Sequence, residues 1–178
     1  MVGTSLYVST ISFKQMKKYG LILLCAILFC MCKRPEKFSE VPYIEFVSLD
    51  KVDNGTGMDD QANLVIYFHD GDGDIGLSNA DTTGAFSKDS IYYYNFFIDY
   101  YEKQNGNWTL VELPTPLHAR IPYLSDNVPE SIEGEITILT FINNYFSPYD
   151  TIKLRCRLVD RALHLSNEIE TPEIIVNK

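Results

Sequence analysis

Three aspartates alternate with glycines in His69-Asp70-Gly71-Asp72-Gly73-Asp74-Ile75-Gly76, directly after the apolar run Leu64-Val65-Ile66-Tyr67-Phe68. Carboxylates at that spacing can converge on one hard cation, because calcium takes several oxygen ligands at about 2.3–2.6 Å from a tightly curled backbone. The intervening glycines accept the backbone angles of such a curl. With no cation present, the three charges repel one another at close range. The alternative is a metal-free acidic turn, since Asp-Gly pairs favour turns in their own right. A simple turn needs one such pair, not three acids in register, so the pattern favours a structural calcium ion.

Counted from Asp70, Asp72 and Asp74 stand at positions three and five, and Asp81 at twelve. An EF-hand loop places glycine at six and a bidentate glutamate at twelve, between two helices. Here Ile75 stands at six, the twelfth residue is the shorter Asp81, and the preceding residues read as a strand. The expectation is an Asp-rich calcium loop at a strand end, not an EF-hand. Asp81 and Asn79 are candidate additional ligands.

Other chemistry is sparse. His69, His118 and His164 lie far apart, without the spacing of a catalytic zinc site. The chain has no G-x-S-x-G nucleophile elbow and no glycine-rich loop opening a helix. Glu133 and Glu135 read as a solvated strand face in preference to a glycosidase pair. Cys156 falls among inward-facing strand residues and reads as a small buried hydrophobe. No residue is assigned a catalytic role, and the expectation is a protein without catalytic activity. Trp108, Tyr93 and Tyr101 belong to an aromatic-rich hairpin and are candidates for a ligand platform. The competing reading is that tyrosine is simply a good strand former on a half-buried sheet.

The elements that must hold these residues are strands. Tyr43–Leu49, Asn63–Phe68, Ile91–Glu102, Trp108–Leu113, Glu135–Ile142, Thr151–Asp160 and Glu168–Val176 carry period-two or densely apolar patterns. Asn105-Gly106, between two apolar runs, predicts a tight hairpin. Pro172 interrupts the last segment, as befits an edge strand. Seven short strands without helices predict an antiparallel immunoglobulin-like β-sandwich, with a jelly roll or small barrel as the alternative. In such a sandwich the second and penultimate strands lie in opposite sheets and end at one pole. That places Asp160, on the inward parity after Ile152, Leu154, Cys156 and Leu158, beside the Asp70-Asp72-Asp74 loop. Asp160 is therefore a further candidate ligand, or a cap for the loop's backbone.

The first 32 residues read as a targeting signal, with the start at Met1 or at Met16. Lys14, Lys17 and Lys18 precede an apolar run, Gly20–Met31, too short to span a bilayer comfortably. A cysteine ends that run where a small-residue cleavage site would otherwise stand. Residues 33–41 read as a polar tether and 42–178 as the sandwich. The whole chain has 15 basic and 24 acidic residues; removal of 1–32 takes three lysines and no acid, leaving 12 against 24 and a formal charge of −12. That balance argues against nucleic acid as a partner and favours cations. Only Cys156 of the four cysteines lies beyond the signal, so no intrachain disulfide framework is available.

The signal ending in Cys32, the VPYIEF stretch, FHDGDGDIGL after a strand and DRALHLSNEIETPEI near the end together resemble uncharacterised lipoproteins of Bacteroidota. The last stretch is also similar to the closing hairpin of bacterial Ig-like domains. Met31 precedes the cysteine where such signals usually carry a small residue. The resemblance implies cleavage before Cys32, diacylglycerol on its sulfur, and a cell-envelope location on the periplasmic or surface face of the outer membrane. The functional expectation is a membrane-tethered, calcium-stabilised binding or assembly module whose partner is an unknown protein or glycan. The alternative is a carbohydrate-binding lipoprotein of a glycan-uptake system.

Overall fold

Alternating apolar residues bury one face of a strand only if a second sheet covers that face, and this requirement shapes the chain. The computed structural model describes residues 38–124 and 130–178. In chain order the strands are β1 (Tyr43–Val52), β2 (Gln61–Asp70), β3 (Phe96–Gln104), β4 (Asn107–Leu110), β5 (Ile132–Phe141), β6 (Thr151–Leu158), β7 (Ile169–Glu170) and β8 (Ile174–Ile175). One sheet has the order β1-β2-β5. The other runs β4-β3-β6-β7, with β8 also pairing to β6. Every strand pairing is antiparallel. The chain is thus an all-β sandwich of two antiparallel sheets with the crossing connections of an immunoglobulin-like Greek key.

The core is built from three central strands. Leu64, Ile66 and Phe68 of β2 face inward, as do Phe96, Ile98 and Tyr100 of β3 and Ile152, Leu154, Cys156 and Leu158 of β6; all are buried. The inward parity continues past the apolar residues into Asp70 on β2, Glu102 on β3 and Asp160 just beyond β6, and each of these acids is also buried. The sandwich therefore places a carboxylate wherever a central strand leaves the core. At one pole Glu102 accepts hydrogen bonds from Ser147 Oγ (2.7 Å), Asn144 Nδ2 (2.8 Å) and Gln104 Nε2 (3.1 Å). Asp70 and Asp160 lie at the other.

Several strand limits differ from those read in the sequence. Residues Ile91–Tyr93 form a 3-10 turn capped by Ser90, not the start of β3. The reason is a lack of partners: β6 ends opposite Phe96, and the Asn95 side chain pairs with the backbone of Ile121 instead. β4 stops at Leu110, ahead of Pro114 and Pro116. The predicted closing strand is two short ones, β7 and β8, split at Thr171-Pro172. There the Thr171 hydroxyl accepts the N–H of Leu154 (3.0 Å), a ladder position filled by a side chain. The hairpin turn is as predicted, with positive φ at both Asn105 (52°) and Gly106 (86°).

Candidate metal centre

β2 delivers Asp70 to the edge of the core fully buried, and the chain then curls. Gly71 N donates to Ser39 O at 2.7 Å. A Cβ at Gly71 would collide with the carbonyls of Phe38 and Ser39, and one at Gly73 with the carbonyl of Glu130. Gly76 has φ of 103°, and its missing side chain makes room for Pro122 O and for Tyr123 Cα. These glycines let three separate stretches of backbone press against the loop. Ile75 and Leu77 bury their side chains, and Leu77 N donates to Ile121 O at 3.0 Å, anchoring the far end.

The curl gathers the acids. One carboxylate oxygen from each of Asp70, Asp72 and Asp74 lies within 4.8 Å of the other two. Two ligands on opposite sides of one calcium ion are separated by about 4.6–5.2 Å, so the spacing suits a shared ion. Asp70 Oδ2 accepts Asp74 N (3.0 Å) and Asp74 Oδ2 accepts Ala162 N (3.0 Å). The Oδ1 atoms of Asp70, Asp72 and Asp74 are all buried, and among the described residues none donates a hydrogen bond to them. A buried acceptor left unpaired costs about 1–3 kcal/mol, more when charged, and a cation shared by the three could offset that cost.

Electrostatics agree. Burial pushes the Asp70 carboxyl up to about 7, and the neighbouring Asp72, Asp74 and Asp160 charges add to the effect against a hydrogen bond from Asp74 N–H. Asp74 is raised by burial and by the Asp160 and Asp72 charges, against backbone donors from Ala162 and Arg161. Asp160 is raised by burial, although His164 opposes the shift.

The five aspartates expected as ligands are not all gathered. Asp160 stands at the same pole, where Arg161 N reaches Asp74 O (3.3 Å), but its oxygens are held by His164 N (2.7 Å) and His164 Nδ1 (2.9 Å). It closes its own turn, and the residues after it brace Asp74. Asp81 is diverted altogether: both oxygens bond Arg161, at 2.5 and 3.2 Å, and Ser78 N adds a third donor at 2.7 Å. Loop spacing suggested Asp81 as a ligand, but the Arg161 guanidinium and the Ser78 N–H occupy its carboxylate. Phe38, Ser39, Glu130 and Pro122, which wall the loop, carry no signal in the sequence because they are remote from it along the chain.

The aromatic candidates do not form one platform. Trp108 and Tyr101 share the outer face of the second sheet, with Lys153 Nζ 4.9 Å from the Trp108 ring centre and the Arg155 guanidinium 4.7 Å from that of Tyr101. Lys103 also lies over Trp108, at 5.5 Å. Tyr93 sits apart in its 3-10 turn beneath Arg120, at 5.0 Å. Cys156 is wholly buried, which pushes its thiol up to about 12. His69, next to last in β2, lies on the outer face, stacked between Phe38 (4.3 Å) and Tyr43 (4.9 Å). Cys32, the expected lipidation site, lies outside the described residues.

Two outcomes are expected from this geometry. In chelator the raised Asp70 carboxyl makes stability fully present below pH ~4, near its unfolded value, and progressively lost as pH rises toward about 7. Melting curves between pH 4.5 and 7.5 should show that fall, and Asp70→Asn should flatten it. Gly76→Ala should cost more than about 3 kcal/mol in urea denaturation, whereas Gly55→Ala, at positive φ but in open space, should cost about 1 kcal/mol.

Comparison with protein families, with curated proteins and with solved structures gives no significant match. The likeness to Bacteroidota lipoproteins rests on the sequence motifs alone.

Proposed function

We propose that this chain is a lipid-anchored, calcium-stabilised immunoglobulin-like module of the cell envelope, serving binding or assembly without catalysis. The observation that carries this reading is the trio of donorless, buried Oδ1 atoms on Asp70, Asp72 and Asp74 at the end of β2. Three carboxylates on a curled backbone suit calcium better than magnesium, which usually keeps several waters and takes one or two carboxylates. The ion sits where the Phe38–Ser39 lead-in, the loop, Glu130 and the Arg161–Ala162 turn meet, so its role is to hold backbone segments together. The anchoring half of the reading is supported by the apolar run ending at Cys32 and the polar tether after it. Two acyl groups on one cysteine would suffice for stable attachment, where one chain is marginal.

The carbohydrate-binding alternative needs free aromatic faces. Trp108 and Tyr101 instead have ammonium or guanidinium groups over their rings, so the sandwich offers that reading less support.

Calcium at a hundredfold excess over its Kd should stabilise the fold by about 2.7 kcal/mol. The melting temperature should rise with calcium and fall with chelator, and Asp72→Asn should blunt the response. A melting curve indifferent to both reagents would mean an acidic turn and nothing more. Intact-mass measurement of the membrane-extracted protein should find diacylglycerol and an amide-linked acyl chain on Cys32, and Cys32→Ser should abolish both.

A further inference from the structure

The chain enters the sandwich beside the acidic loop, and its first described residues are held by that loop. β1 begins at Tyr43, whose ladder partner is His69, so residues 38–41 lie ahead of any strand pairing. Among the described residues, one hydrogen bond ties 38–41 to the remainder of the fold, from Gly71 N to Ser39 O at 2.7 Å. Gly71 stands between Asp70 and Asp72, and only a glycine there leaves room for the Phe38 and Ser39 carbonyls. The Phe38 ring makes the second contact, stacked at 4.3 Å on His69. Ser39, Glu40 and Val41 are exposed, so burial of their own side chains does not hold them. Pro42 and Ile44 are buried, which marks where the fold proper starts.

The lead-in is thus fastened at two points, His69 and Gly71, on either side of Asp70. Gly71 keeps its place only while Asp70 and Asp72 stay together. Their carboxylates repel one another when nothing neutralises them, and the curl that turns Gly71 N toward Ser39 O is the one such repulsion opens. Cation binding and docking of the lead-in favour the same loop conformation, so each strengthens the other.

We propose that calcium at Asp70, Asp72 and Asp74 latches residues 38–41 onto the sandwich, and so sets how much chain ahead of the fold is free. This latch presupposes the calcium reading above and holds whether or not Cys32 carries lipid. Release of the four residues would add up to about 14 Å of reach between the fold and whatever holds the chain upstream. It would also free the Lys37–Phe38 bond for proteolysis, because a protease takes several residues around its cut in extended form.

The test is limited digestion of the full-length protein in detergent with endoproteinase Lys-C, which cuts after lysine and needs no calcium. Cleavage at Lys33–Arg34 and at Lys37–Phe38 is followed separately by mass spectrometry. Synthetic peptides of residues 33–44, with and without each substitution, give the rate for a chain that is not docked. The digest is run well below the melting temperature in chelator, where Lys153 in β6 stays uncut, so that global unfolding does not contribute. Lys37–Phe38 should be cut roughly tenfold more slowly in calcium than in chelator, the difference expected from one hydrogen bond and one ring stack. Lys33–Arg34, ahead of the docked residues, should be cut at the same rate in both. Phe38→Ala should bring the calcium rate at Lys37 toward the chelator rate while the melting temperature still rises with calcium. A melting temperature that rises with calcium while Lys37–Phe38 cleavage ignores it would overturn the latch and leave the calcium reading standing. A melting temperature indifferent to calcium would remove both. Equal protection of the two bonds would also overturn the latch, as would protection that Phe38→Ala leaves intact.

Discussion

Like charges brought together in a buried place, with too few donors to receive them, are the constraint around which this sandwich is arranged. Asp70 follows Leu64, Ile66 and Phe68 on the inward face of β2, so the strand's own alternation carries it out of water. Asp72 and Asp74 are then drawn toward it by a curl that the packed glycines permit. The alternative to a cation is protonation, and the raised Asp70 carboxyl expresses that cost. The acid at the opposite pole is different in kind. Glu102 is equally buried, but three side-chain donors surround it. One pole is closed by hydrogen bonds within the protein, and at the other the described residues leave the carboxylates short of donors.

The outer face of the second sheet shows how the remaining charge is handled. Arg155 pairs with Glu170 (2.8 Å) and Glu168 (3.3 Å), Arg157 with Asp99 (3.2 Å), and Lys153 with Glu170 (2.6 Å). Such exposed pairs contribute about 0–1 kcal/mol each, so their importance lies elsewhere. They keep the Lys153 and Arg155 side chains across the aromatic rings of Tyr101 and Trp108, leaving a polar surface. A groove lined by Leu139, Phe141 and Phe146 is the contrasting surface, apolar and open at its rim.

The strands, the hairpin at Asn105-Gly106, the burial of Cys156 and the acidic loop after β2 were all legible in the sequence. Each depends on a local property: period two, positive φ at two adjacent residues, or alternation of acid with glycine. Parity alone carried Asp70 and Asp160 to the rim of the core, because side chains two residues apart must share a face. What the sequence did not reveal was competition between remote groups. Asp81 fits the spacing of a loop ligand, yet Arg161, from the far side of the chain, takes both of its oxygens. Asp160 reaches the right pole and is claimed there by His164. Tyr93 belongs to the same aromatic stretch as Tyr101 but leaves the sheet where β6 runs out of residues to pair with it. Asn143 is an ordinary asparagine after a strand until folding buries it at a groove that the 113–118 segment also lines. Local pattern determines which face a residue shows, while only tertiary packing decides which donor reaches it first.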